Sequence, residues 1–166
     1  VTAAAVTAAV VLAAAAAVTG LRRTLVVVEV FGQSMAPTLR QGDRVLVRRR
    51  GLERLRCGDV VVFAPPYLPG RWDHPGEGRR TSERRWVIKR VAALPGDPVP
   101  ASCAAAPGVR PDAPVPPGSL LVLGDNPAHS TDSRAWGYIP ADRILGVVLR
   151  RLGSRPPAVD PSGTKV

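Results

Sequence analysis

Trp86-Val87-Ile88-Lys89-Arg90-Val91 is the stretch on which the reading of this chain turns. The protein has 23 basic side chains, yet only Lys89 and Lys165 are lysines. Everywhere else arginine supplies the positive charge. Lys165 lies in a Pro/Gly-rich tail, whereas Lys89 lies inside an apolar run with strand character. Alternation puts Val87, Lys89 and Val91 on one face and Trp86, Ile88 and Arg90 on the other. A lysine among valines can lose its proton, because desolvation disfavours the charged form; an arginine cannot. A neutral lysine is a general base.

A nucleophile for that base lies upstream, in Phe31-Gly32-Gln33-Ser34-Met35-Ala36-Pro37-Thr38. Ser34 follows the hydrophobic run Val26 to Phe31 at a Gly-x-Ser turn. Such a turn holds a hydroxyl at a strand end, close to backbone N–H groups that can stabilise an oxyanion. Ser34 and Lys89 together would form a Ser–Lys dyad, a variant of Ser–His–Asp chemistry.

The remaining sequence reads as short strands and turns. Its 166 residues include 18 Pro and 16 Gly, which favour turns over long helices. Strands are expected at 25–31, 44–48, 60–64, 85–94, 119–123 and 143–151, with turns at Gly42-Asp43, Cys57-Gly58-Asp59 and Pro95-Gly96-Asp97. Residues 65–84 read as a long exposed loop. Residues 98–118 read as a small irregular insert, and 153–166 as a disordered tail. Residues 1–21 carry no charge and are long enough to span a bilayer as a helix, followed by Arg22-Arg23. Counted by the positive-inside rule, those arginines place the downstream chain in the cytoplasm. A cleaved signal peptide and an Ala-rich soluble helix are the other readings of the segment.

The net charge of +10 is compatible with nucleic acid or anionic lipid. Aromatics at 4%, with the arginines in scattered clusters, argue against stacking on bases. Cys57 and Cys103 form no CxxC or Cys/His pattern, so no zinc site is expected and two unpaired thiols are the preferred reading. His129, with Asp125 or Asp132, offers an alternative Ser–His–Asp arrangement, but a lysine base leaves it no task.

Four segments, in order, resemble the type I signal peptidases, membrane-bound Ser–Lys endopeptidases. Gly32-Gln33-Ser34-Met35-Ala36-Pro37-Thr38 is similar to that family's nucleophile segment. Gly42-Asp43-Arg44-Val45-Leu46-Val47 is similar to the strand that follows it. Ile88 to Asp97 is similar to the general-base segment. Gly124-Asp125-Asn126 with Ser130-Thr131-Asp132-Ser133-Arg134 is similar to the fourth. The resemblance covers Val26 to about Leu149. It implies a mainly β fold: an antiparallel catalytic core of the signal peptidase/LexA type over 22–152, the insert at 98–118, and an N-terminal transmembrane anchor at 1–21.

Carried over by residue, the resemblance implies that Ser34 attacks the scissile carbonyl and Lys89 takes its proton. The Ser34 N–H would contribute to the oxyanion hole, with Met35 beside it. Ser130 would bond the Lys89 amine. Asp132 and Arg134 would pair, with Arg90 and Asp125 nearby. No cofactor is needed. The implied partners are exported precursor proteins and the lipid bilayer, with cleavage after small residues outside the membrane. Two departures stand out. Gly32 occupies the position where some members carry an oxyanion serine, and Pro127 follows Gly124-Asp125-Asn126 where arginine is frequent. A maturation protease dedicated to one precursor is the second reading. A self-cleaving LexA-type regulator is the third; it would require a DNA-binding domain where this chain has an apolar segment.

Overall fold

The computed structural model describes residues 3–66, 72 and 86–154. Helix α1 (Ala3–Thr24) leads into β1 (Leu25–Glu29), β2 (Asp43–Arg48), β3 (Val60–Phe63), β4 (Val87–Ala93) and β5 (Ser119–Leu123). The short helix α2 (Ser133–Trp136), the two-residue β6 (Ile139–Pro140) and the long β7 (Ile144–Ser154) follow. The strands form one seven-stranded sheet in the order β1-β2-β7-β3-β4-β5-β6. Every pairing is antiparallel. The last strand therefore sits in the interior of the sheet. β7 joins the β1–β2 hairpin to the β3–β4–β5 meander, so the sheet cannot close until the chain is nearly complete. Register shifts interrupt β2–β7, β3–β7 and β4–β5. Such bulges bend strands and raise their twist, which lets the sheet curl.

Three Gly-Asp turns are built alike. Gly42, Gly58 and Gly96 have φ of 84°, 90° and 89°, a region that favours glycine. In each turn the aspartate Oδ2 accepts the N–H three residues back: Arg40 at 2.9 Å, Arg56 at 2.9 Å and Leu94 at 2.8 Å. This is the local side-chain bond by which aspartate favours turns. Asp43 adds a tertiary role. Buried, it accepts from Ser154 Oγ at 2.6 Å and Arg151 Nη1 at 3.3 Å, tying the start of β2 to the end of β7. The Ser154 bond, with the Arg40 N–H, holds its carboxyl below the usual range.

Both faces of the central strands are covered. Val62, Ile88, Val45, Val47, Met35 and Leu39 form one cluster. Val61, Phe63, Val91, Leu120, Val122 and Ile139 form a second. The expected alternation of β4 holds: Trp86 and Ile88 pack with the first cluster, Val87 and Val91 with the second. The insert is better packed than an irregular excursion. Its Cys103 and Val115 are buried against Ala93 and Leu121 in a third cluster. Cys57, exposed, and Cys103, buried, are both free thiols.

One part of the expected fold, the membrane span, is not shown by α1. Residues 1–21 were expected to span a membrane. From Ala3 onward they are helical, in a 22-residue α1. Among the described residues, however, no helix is long and apolar enough to cross a membrane. Alanine favours helix most strongly, while large aliphatic side chains supply most of the energy of insertion. In α1 four valines and two leucines are interspersed among alanines. Gly153 and Ser154, expected in the tail, belong to β7; residues 155–166 and nearly all of the 65–84 loop lie outside the described residues.

Phe63 is fully buried on a central strand and meets the Trp136 ring edge-to-face at 6.0 Å. Phe63→Ala should cost about 3–5 kcal/mol of stability, read as a lower urea midpoint at unchanged m-value. An unchanged midpoint would mean that this cluster does not hold the sheet together.

Candidate active site

The nucleophile turn begins where β1 ends. Gly32 has φ 81°, which turns the chain out of the strand direction, and residues 33–39 follow as tight turns. The Ala36 N–H donates to Gln33 O at 3.1 Å and the Leu39 N–H to Met35 O at 2.8 Å. Buried Met35 anchors this turn in the first core cluster and leaves Ser34 at its edge. Lys89 extends from β4. Its Nζ lies 2.7 Å from Ser34 Oγ and 3.1 Å from Ile88 O. The two residues stand 55 positions apart in sequence.

Lys89 is 3% exposed. Burial pulls its pKa down from the usual lysine range to about 8, against the opposing pull of the Asp132 carboxylate. At pH 7 roughly a tenth of such an amine is neutral. In the protonated form Nζ donates to Ser34 Oγ; in the neutral form the hydroxyl can donate to nitrogen, the arrangement a general base requires.

Asp132 lies behind the lysine, nearly fully buried and ionised. Burial alone would raise its carboxyl, but bonds from Arg134, the Gly124 N–H and Ser130 hold it at about 2. Its Oδ1 accepts Arg134 Nε at 2.9 Å; its Oδ2 accepts Arg134 Nη2 at 2.8 Å, the Gly124 N–H at 2.9 Å and Ser130 Oγ at 2.7 Å. The expected Asp132–Arg134 pair is therefore present. Among the described contacts the Ser130 hydroxyl donates to Asp132 Oδ2, and no bond between Ser130 and the Lys89 amine is described. Ser130 reaches the lysine through the carboxylate that it helps to hold.

A second ion pair ties the β4 strand to the fourth segment. Arg90 Nε donates to Asp125 Oδ1 at 2.8 Å and Arg90 Nη2 to Oδ2 at 2.6 Å, while Nη1 reaches Gly58 O at 2.8 Å. Thr38 Oγ1 also donates to Asp125. The Arg90 bonds hold the Asp125 carboxyl below its usual range. One carboxylate thus joins the nucleophile turn to the residue after the base.

Two residues of the fourth segment were given no role from the sequence. Asn126 clamps the nucleophile turn: its N–H donates to Ser34 O at 3.0 Å and its Nδ2 to Gln33 O at 3.2 Å. Gly124 makes room for the site. A Cβ there would lie 2.1 Å from Ser130 Oγ and 2.7 Å from Ser34 O. In sequence Gly124-Asp125-Asn126 reads as a turn, and only the distant partners reveal these tasks. His129 lines the cavity but has no described bond to Ser34 or Lys89.

The dyad opens into a cavity of about 300 Å³ lined by Phe31, Met35, Trp86, Ile88 and Trp136 among others. Two strand edges border it. β1 is the terminal strand of the sheet, and β5 pairs with β4 only from Arg90 onward, leaving residues 87–89 bonded to β3 alone. Among the described residues no cluster of His, Cys, Asp or Glu is arranged to hold a metal ion.

This arrangement is accompanied by similarity along nearly all of the described residues. The family described as "Signal peptidase, peptidase S26" matches residues 3–106 and 100–152. Probable signal peptidase I-1 of Synechocystis sp. is 34% identical over 140 residues, covering 71% of this chain and 66% of the relative. Mitochondrial inner membrane protease subunit 1 of Schizosaccharomyces pombe is 31% identical over 129 residues, 75% and 71% of the two chains. Signal peptidase IB of Staphylococcus aureus is 30% identical over 156 residues, 72% and 73%. The chain spans 66% of the Synechocystis protein and 64% of signal peptidase I of Leptolyngbya laminosa. With the matched segments covering nearly all of its described residues, the chain belongs to the signal peptidase family, peptidase S26.

Proposed function

We propose that this protein is a serine endopeptidase that removes signal peptides from exported precursors, with Ser34 as nucleophile and Lys89 as general base. The observation that carries the reading is the 2.7 Å contact between Ser34 Oγ and a buried lysine whose pKa is about 8. Neutral Lys89 takes the Ser34 proton as Oγ attacks the scissile carbonyl carbon. The carbonyl oxygen becomes an oxyanion beside the Ser34 N–H, which donates to no acceptor among the described residues. Lys89 then gives the proton to the leaving amine as the C–N bond breaks. A water molecule, losing its proton to Lys89, cleaves the acyl-enzyme and restores Ser34.

The substrate enters as an extended peptide. The free edges of β1 and β4 on either side of the cavity offer backbone groups to it, as in strand addition. Buried Met35 and Ile88 wall the cavity, which favours small apolar residues such as alanine by shape. Arg90, Asp125, Ser130, Asp132 and Arg134 hold the two reacting groups in register without touching substrate. The proposed setting is a membrane, with 22–152 as the catalytic domain on its outer side and 1–21 as the anchor. In support, one relative is named an inner membrane protease, and Val6, Val10, Val11 and Leu12 of α1 are exposed.

Cleavage of a precursor with Ala at the first and third positions before the cut tests the assignment. Ser34→Ala and Lys89→Arg should each lower kcat by at least ~10³-fold, since the dyad acts as a unit, with circular dichroism unchanged. Arginine keeps the charge but cannot become the base. Near-normal turnover by either folded variant would remove that residue from the mechanism. Gly124→Ala should push Ser130 and the Ser34 backbone apart, lowering kcat by ~10²-fold at little change in KM. A variant with normal kcat would show that the close approach does not position the nucleophile.

A further inference from the structure

The fold brings a run of arginines to the base of α1. Arg22 and Arg23 lie in the last turn of that helix. The run Arg48-Arg49-Arg50 ends β2, and β1–β2 pairing sets Arg48 opposite Leu25, the first residue after α1. The Arg49 N–H donates to Thr24 O at 2.8 Å, fastening the run to the helix end. Gly146 of β7 fixes it from the other side. A Cβ at Gly146 would lie 2.1 Å from Arg48 O and 2.9 Å from Arg49 Cα, so the backbone of the run is seated directly on β7. Arg48 and Arg49 are exposed and Arg50 is half-buried. Among the described residues none of the three has an acidic partner. Exposed Val27 and Leu149 lie on the flanking β1 and β7 strands, each two residues from the position paired with Arg48.

We propose that this basic collar binds the anionic headgroups of phospholipids at the membrane surface, a proposal that rests on the membrane attachment of α1 inferred above. The chemistry matches on two counts. Guanidinium groups pair with phosphate oxygens bidentately, and the collar stands where a helix that enters lipid leaves it. The adjacent exposed aliphatic side chains suit the interface between headgroup and acyl chain. Nucleic acid would call for stacking aromatics, which the collar lacks. β1 runs from the collar at Leu25 to the cavity at Glu29, a distance of about 13 Å at ~3.3 Å per residue. Headgroup binding therefore sets the height of Ser34 above the membrane.

The test is flotation of the full chain with vesicles of phosphatidylcholine alone or with phosphatidylglycerol added. The wild-type protein should partition more strongly onto the anionic vesicles, and 0.5 M salt should remove the difference, an applied condition well beyond physiological screening. Arg48→Gln/Arg49→Gln/Arg50→Gln should lose about fivefold per arginine, ~100-fold in all, with peptide cleavage in detergent unchanged. Arg49→Glu, whose backbone bond to Thr24 is unaffected, should lose at least ~fivefold alone. Equal partition of wild-type protein onto both vesicles would overturn the collar and leave attachment standing. Absence from both would overturn attachment itself. Retained anionic preference in the triple variant, or displacement from vesicles by a DNA duplex at equal phosphate, would also overturn the collar.

Discussion

The contact between Lys89 Nζ and Ser34 Oγ can exist in a useful form only if the lysine is dry. An exposed lysine near pH 7 is almost entirely protonated and cannot accept a proton. Lys89 is dry because apolar clusters pack on both faces of β4, and because Val61, its partner on β3, is fully buried. The sheet is therefore the device that makes the base. The buried Asp132 carboxylate works against it, raising the lysine pKa while burial lowers it, and the balance falls at about 8. A site with burial alone would hold a weaker base; one with the carboxylate closer would keep the amine charged. Asp132 is in turn neutralised in part by Arg134, which moderates its effect on the lysine.

Around this contact the structure is arranged to hold two loops together. The nucleophile turn and the segment after β5 share no secondary structure. They are joined by Thr38 and Arg90 on Asp125, and by Asn126 on the backbone of Gln33 and Ser34. Ion pairs at a surface contribute little to stability. Here their value is positional, since Arg90 grips Asp125 at both oxygens and fixes an angle as well as a distance. The glycine at 124 belongs to the same arrangement, because any side chain there would stand in the space that Ser130 and Ser34 occupy.

Much of this was legible in the residues. The apolar runs gave the strands because each buries at least one face, and the Gly-Asp pairs gave the turns because each aspartate caps a peptide three residues back. The contact between Ser34 and Lys89 was legible because one lysine stood where arginine would have been expected. What was not legible depends on contacts remote in sequence. β6 and α2 are too short to carry a period. The Ser130 hydroxyl has two possible acceptors nearby, and only coordinates choose Asp132. Asn126 reads as a turn residue until Ser34 O is seen within reach. The insert reads as irregular because its buried Cys103 and Val115 are single residues between prolines and glycines. The N-terminal segment was read by its lack of charge, which measures polarity well and apolar bulk poorly.

The central claim is that burial makes Lys89 a neutral base beside Ser34, and direct titration of its amine tests it most closely. With lysine ¹³Cε-labelled, Lys89 and Lys165 give two resonances that Lys89→Arg would assign. The account predicts that the Lys89 signal titrates near 8, well below a free lysine, and that Ser34→Ala leaves it low because burial, not the hydroxyl, is the cause. A Lys89 signal that titrates above 10, in the range of a free lysine, would contradict the account.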